Sequence, residues 1–145
     1  MQSSKKFGTA FNCMDGRCQE AVRKFVCDSA GVQYVDMINE PGVDGILAGK
    51  IVDKTQPSNG IEWLQFKADV SHTGHGSRFA VVVGHEGCAG NNVSKAEHVA
   101  DIQKATEKVR SWGMFDEVTG LFSAPNELGE WRVEVCTNTE QQTAA

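Results

Sequence analysis

Two short stretches of this chain hold residues able to grip a metal ion. Cys13-Met14-Asp15-Gly16-Arg17 offers a thiol, a carboxylate and a guanidinium, and Gly84-His85-Glu86-Gly87-Cys88-Ala89-Gly90-Asn91 offers an imidazole and a second thiol. Two thiolates and one imidazole are a donor set suited to Zn²⁺. The spacing of His85 and Cys88 lets one turn present both to the same ion, with Gly84, Gly87 and Gly90 supplying backbone freedom. Three protein ligands (Cys13, His85 and Cys88) leave a fourth tetrahedral position open to water, which is the catalytic arrangement.

Asp15 and Arg17 extend this chemistry. In an extended or tightly turned segment Cys13, Asp15 and Arg17 can face one cavity. The planar fork of Arg17 can hold Asp15 bidentately, keeping it ionised and aimed. A carboxylate fixed beside zinc accepts the proton of a bound hydroxide and turns its lone pair toward an electrophile. The metal brings the pKa of its water from about 15.7 to about 7, so a nucleophile exists at neutral pH.

Each of these residues also has a plainer reading. If Cys13 stood alone, Asp15 and Arg17 would read as a helix-start acid and a surface ion pair. Cys18, Cys27 and Cys136 read as small packing residues. A fourth ligand from Cys18, His72 or His75 would make the site closed and structural, but leaves Asp15 and Arg17 without a reason to adjoin a ligand. His72 and His75 read as solvated loop residues, with a proton shuttle as the functional alternative. His98 reads as a surface residue, and Trp63, Trp112 and Trp131 as core or interface. The glycines around His85 lack the G-x-G-x-x-G dinucleotide spacing.

The elements that must position these residues form an alternating series. Phe7–Asn12 predicts a strand, Arg17–Ala30 a helix closed by Gly31, and Val32–Ile38 a second strand. Val43–Asn59 is expected to be a surface excursion with at most a helical turn. Gly60–Val70 predicts a helix broken by His72–Gly76. Phe79–Val83 is an apolar run suited to a central parallel strand. Ser94 and Glu97 form a capping box before a helix that turns Val99, Ile102, Ala105 and Val109 inward and stops at Gly113. Val118–Phe122 is a further strand, and Trp131–Val135 alternates as an antiparallel edge strand does. The expected fold is a single-domain, open, mostly parallel α/β sheet flanked by helices, with an antiparallel edge strand. Residues 1–136 form the domain and residues 137–145 a flexible tail. Ligands of such sheets bind beyond the carboxyl ends of the strands, where both motifs lie.

Composition narrows the partners. The 145 residues suit one domain, and a net charge of −5 is a poor match to nucleic acid or an anionic membrane. Five cysteines, an odd number with no apolar signal segment ahead of them, do not form a disulfide framework. A cytoplasmic location follows as the expectation.

C-x-D-x-R followed by G-H-x-x-C-[AG]-G resembles the β-class carbonic anhydrases, and most closely their short carbonic-anhydrase-like branch. The resemblance implies zinc on Cys13, His85 and Cys88, an Asp15–Arg17 dyad, and reversible hydration of CO₂ to bicarbonate. It also implies that Asp15 can swing onto the metal and shut the site, and that chains pair as homodimers or larger homo-oligomers. The chain departs from the family in three ways. Typical members carry an N-terminal helical arm that wraps the partner, whereas here the first strand is expected almost at Met1. Ile38-Asn39-Glu40-Pro41-Gly42 stands where Arg-Asn-Ala-Gly is usual, and the excursion between Val43 and Gly76 is longer than usual. The alternatives are CS₂ or COS hydrolysis on the same site, a non-catalytic zinc-binding module that kept the fold, and, last, a thiol-redox protein.

Overall fold

In the computed structural model, which describes residues 6–51 and 60–137, Phe7–Asn12 (β1) and Phe79–His85 (β3) lie side by side at the centre of a sheet. Every position of both after the first is buried, as a strand covered on both faces requires. Ala10, Val81 and Val83 pack under Val22 and Val26 of α1 (Gln19–Ala30). Phe11, Ala80 and Val82 point the other way, toward α2 (Val43–Leu47), α3 (Ile61–Asp69) and α4 (Lys95–Ser111).

With β2 (Tyr34–Asn39), β4 (Glu117–Pro125) and β5 (Trp131–Val135), the sheet order is β2-β1-β3-β4-β5. The first four strands are parallel, and β5 runs antiparallel to β4. This is the open α/β sheet with an antiparallel edge that the sequence predicts. The chain steps outward from β1 to β2 and then crosses back to β3, so its direction across the sheet reverses between β1 and β3. That reversal opens a crevice beyond the carboxyl ends of two strands. Cys13 follows the last residue of β1, and His85 is the last residue of β3.

Several local expectations are corrected. The segment from Val43 does not begin as a surface excursion: all five residues of α2 are buried, because Val43, Ile46 and Leu47 join the core beneath α4. Residues 52–59 of that stretch lie outside the described residues. His98 is not a surface residue; it is 1% exposed and its Nδ1 donates to Asp44 at 2.7 Å. Half of the predicted capping box forms: Ser94 accepts the Glu97 amide at 3.2 Å, while the Glu97 carboxylate lies 3.8 Å from Lys50 Nζ. After α3 the backbone widens into a π turn, Val70–Gly74, before it breaks.

His72 and His75 lie at the amino end of the sheet. His75 stacks on Phe7, the first residue of β1, and His72 donates to the Ser77 carbonyl ahead of β3. Cys13 lies about 20 Å away along the strand at the usual rise per residue. Neither histidine can serve as a fourth ligand or hand a proton directly to that site. Thr137 is buried, and the rest of the predicted tail lies outside the described residues. Among the described residues, no helix is long and apolar enough to cross a membrane.

Candidate metal centre

Cys13, His85 and Cys88 meet in the crevice between β1 and β3. All three are buried, and one ligand atom from each lies within 4.8 Å of the others. Among the described residues no other group of three such side chains does so. The two sulfurs are 3.9 Å apart. Tetrahedral zinc with Zn–S bonds of about 2.3 Å requires sulfurs about 3.8 Å apart, so the cluster has the span of the ion.

The imidazole is set for the same task. His85 Nδ1–H donates to the Glu86 carbonyl at 2.8 Å, which leaves the Nε2 lone pair free to bind a metal. Nε2 is buried and has no hydrogen-bond partner within geometric limits. Burial pushes the ring's pKa down, and the surrounding Cys13, Cys18 and Cys88 sulfurs push it up more strongly, so Nε2 faces a sulfur-lined pocket that attracts a cation. A buried nitrogen surrounded by sulfur, with nothing neutral to bond to, fits a metal ligand.

The thiols are polarised too. Cys13 is shifted strongly toward thiolate, first by its hydrogen bond with Cys88 and then, against burial, by His85 and the backbone amides of Gly42 and Asp15. Cys88 is shifted up by that same contact with Cys13 and by burial, while His85 and the Asn91 amide pull it down. Cys13 thus faces the Gly42 amide of the loop after β2, and Cys88 the Asn91 amide of its own loop. Those loops touch through glycines: a Cβ on Gly42, whose φ is +65°, or on Gly90 would come within 2.6 Å of the other's backbone.

Asp15 caps the short 3₁₀ turn Gly16–Cys18. Its carboxylate takes two bonds from the Arg17 guanidinium, Nε to Oδ1 at 3.0 Å and Nη2 to Oδ2 at 2.7 Å, and a third from the Arg17 amide at 2.9 Å. Those contacts hold its pKa down at about 2. The carboxylate remains outside the three-donor cluster. Cys18 is fully buried against His85 and also lies outside that cluster.

Sequence reasoning missed the residues that hold the first loop and cover the site. Gln19 Nε2 donates to the carbonyls of Cys13 and Asp15, both at 2.8 Å, and Asn39 Nδ2 donates to Cys13 O at 3.1 Å. Asn39 ends β2 at the same end of the sheet, and that position was its available signal. Trp131, at the start of β5, places its ring 6.2 Å from that of His85 and 5.0 Å from the Arg17 guanidinium. On the outer side of Arg17 a groove of about 860 Å³ runs between α1 and β5, past Phe25, Trp131 and Val133.

The family described as "Putative carbonic anhydrase" matches residues 3–137, and the chain belongs to that family. No curated protein matches. Among solved structures, a carbonic anhydrase of Streptococcus mutans is similar at 13% identity and a TM-score of 0.48, covering 94% of this chain and 84% of that one. A tetrameric β-carbonic anhydrase of Sordaria macrospora is similar at 16% identity and a TM-score of 0.46, covering 92% and 81%. A β-carbonic anhydrase of Aspergillus fumigatus is similar at 15% identity and a TM-score of 0.44, covering 96% of this chain and 79% of that one.

Proposed function

We propose that this protein is a zinc lyase that reversibly hydrates CO₂ to bicarbonate. The observation that carries the reading is the buried Cys13–His85–Cys88 cluster beside an arginine-held carboxylate, in a chain of the carbonic anhydrase family. Cys13 Sγ, Cys88 Sγ and His85 Nε2 would hold the ion. Bound there, zinc supplies the Lewis acidity that brings the pKa of water to about 7.

The chain's own residues do the rest. Asp15 is ionised at every pH at which the enzyme would work, and it accepts a hydrogen bond from the nucleophile. That bond fixes the direction of attack on carbon. Arg17 positions Asp15 through its bidentate grip, and its stacking on Trp131 limits where the pair can move. Water and CO₂ give bicarbonate and one proton, which must leave to buffer. CS₂ and COS present the same electrophilic carbon and belong to the same reading as competing substrates. Assembly as a homodimer or larger homo-oligomer is proposed with it on the strength of the resemblance, and a cytoplasmic setting on the strength of the unpaired, odd-numbered cysteines.

The test is stopped-flow CO₂ hydration on protein of known zinc content, with CS₂ and COS turnover run in parallel. Hydration per zinc far above that of free zinc is the expected result. One zinc per chain with no acceleration for any of the gases would leave a non-catalytic zinc module.

A further inference from the structure

Behind the ligand loops lies a second polar cluster that the proposed chemistry does not use. Asp44, Asn91, His98 and Asp101 are each at most 5% exposed. Asn91 Nδ2 donates to Asp44 Oδ1 at 3.2 Å and to Asp101 Oδ2 at 3.0 Å. His98 Nδ1 donates to Asp44 Oδ2 at 2.7 Å, the Gly45 amide to Asp44 Oδ1 at 2.9 Å, and Lys50 Nζ to Asp101 Oδ2 at 2.8 Å. The Asp44 carboxylate also fills the space that a Cβ on Gly84, the residue before His85, would need. Two buried carboxylates are a costly way to fill a core, since well-packed apolar residues commonly give equal or greater stability.

Their arrangement points to a task. The Asn91 side chain is clamped between two carboxylates, and its backbone, three residues past Cys88 in the same loop, turns its amide toward the Cys88 sulfur. Gly42, whose amide is turned toward the Cys13 sulfur, packs against the Gly90 backbone, lies two residues before Asp44 and accepts the amides of Gly45 and Ile46 in the same helical turn. One network therefore holds both amides that face the ligand sulfurs.

We propose that Asp44 and Asn91 are positioning residues for the metal centre, clamping the Gly42 and Asn91 amides onto the two ligand sulfurs. This rests on the metal-centre part of the reading above and not on the identity of the substrate. His98 holds the far side of Asp44, which accounts for a buried histidine on a helix that carries none of the ligands. Outer-shell partners of this kind typically change metal affinity about 10- to 100-fold when removed.

The experiment measures zinc affinity by chelator competition for the full chain and for Asn91→Ala. The sulfur-to-cobalt charge-transfer band of Co²⁺-loaded protein is recorded beside it, and circular dichroism checks the fold. Zinc binding weakened about tenfold or more, with a shifted band and retained secondary structure, is expected. Asp44→Asn, which keeps volume and an acceptor oxygen, is the milder variant and is read in the same way if Asn91→Ala does not fold. A purely structural cluster would lower the melting temperature of the metal-free protein and leave affinity and band unmoved. Affinity within twofold of wild type in the folded variant would overturn the proposal. If the unaltered chain takes up no zinc, the inference and the metal centre fall together. If it binds zinc but does not hydrate CO₂, only the proposed reaction falls.

Discussion

In the amino-terminal half of the strands, Ser77, Thr9, Ser71, Asp36 and His75 form a continuous chain of hydrogen bonds. Thr9 Oγ1 meets Ser71 Oγ at 2.6 Å and Ser77 Oγ at 2.7 Å, and Asp36 Oδ2 accepts from both Ser71 and His75 at 2.7 Å. At the carboxyl end of the same sheet the pattern differs. Three buried side-chain atoms among the described residues lack a partner: Asn12 Oδ1, His85 Nε2 and His98 Nε2. Asn12 and His85 end the two central strands, and His98 braces Asp44 of α2. A cluster that satisfies itself is finished as structure. A cluster whose donors converge on one another and remain unsatisfied is shaped for something else to bind. Histidine and aspartate occur at both ends, so residue type alone does not separate them; completeness of hydrogen bonding does.

The sharpest way to break this contrast is Cys88→Ser. It should remove stoichiometric zinc and CO₂ hydration together, read by metal analysis and stopped flow; an active, zinc-loaded variant would refute the ligand set. Asp15→Asn comes next. It should retain zinc and depress hydration about 100-fold, the usual scale for a positioned acid–base group.

Arg17→Ala has a smaller and more local effect. Arg17 holds the Asp15 carboxyl at about 2 against an ordinary 3.8. Because the folded pKa is the depressed one, this pair contributes stability fully above about pH 4 and loses it as pH falls through about 2. In Arg17→Ala the Asp15 carboxyl should titrate near its ordinary value by NMR, and that acid-sensitive part of the stability should vanish. The smallest effect on the site belongs to the amino end. Ser71→Ala strands the partners of a buried hydroxyl and should cost about 1–3 kcal/mol in denaturant unfolding, with unchanged zinc content.

The parts of the molecule legible in the sequence were those with strong local signals. β3 is legible as a continuous apolar run and β1 as a short strand, and the three donors stand out because cysteine and histidine fall at or just after their ends. His98 departs from the surface expectation because the inward face of its helix includes polar positions as well as apolar ones. The buried face of α4 runs through His98, Asp101, Ile102, Ala105, Thr106 and Val109, a helical spacing that includes polar positions. Nothing local to position 98 reports Asp44, its partner 54 residues away. Trp131 was assigned correctly to a strand, but which strand end it would cover depends on how β5 pairs with β4. Pro41 and Gly42 looked like a turn closing β2, and their proximity to Gly90 exists only once three strands have assembled. Long-range polar contacts of this kind form by folding and leave no periodic trace.

The central claim is that the carboxyl-end cluster binds zinc through two sulfurs and one imidazole, with one position left for a lighter atom. X-ray absorption at the zinc edge of the loaded protein tests it directly. Two sulfurs at about 2.3 Å with imidazole nitrogen and one further oxygen or nitrogen at about 2.0–2.1 Å is the predicted shell. Three sulfurs, which would bring Cys18 onto the metal and close the site, would contradict it.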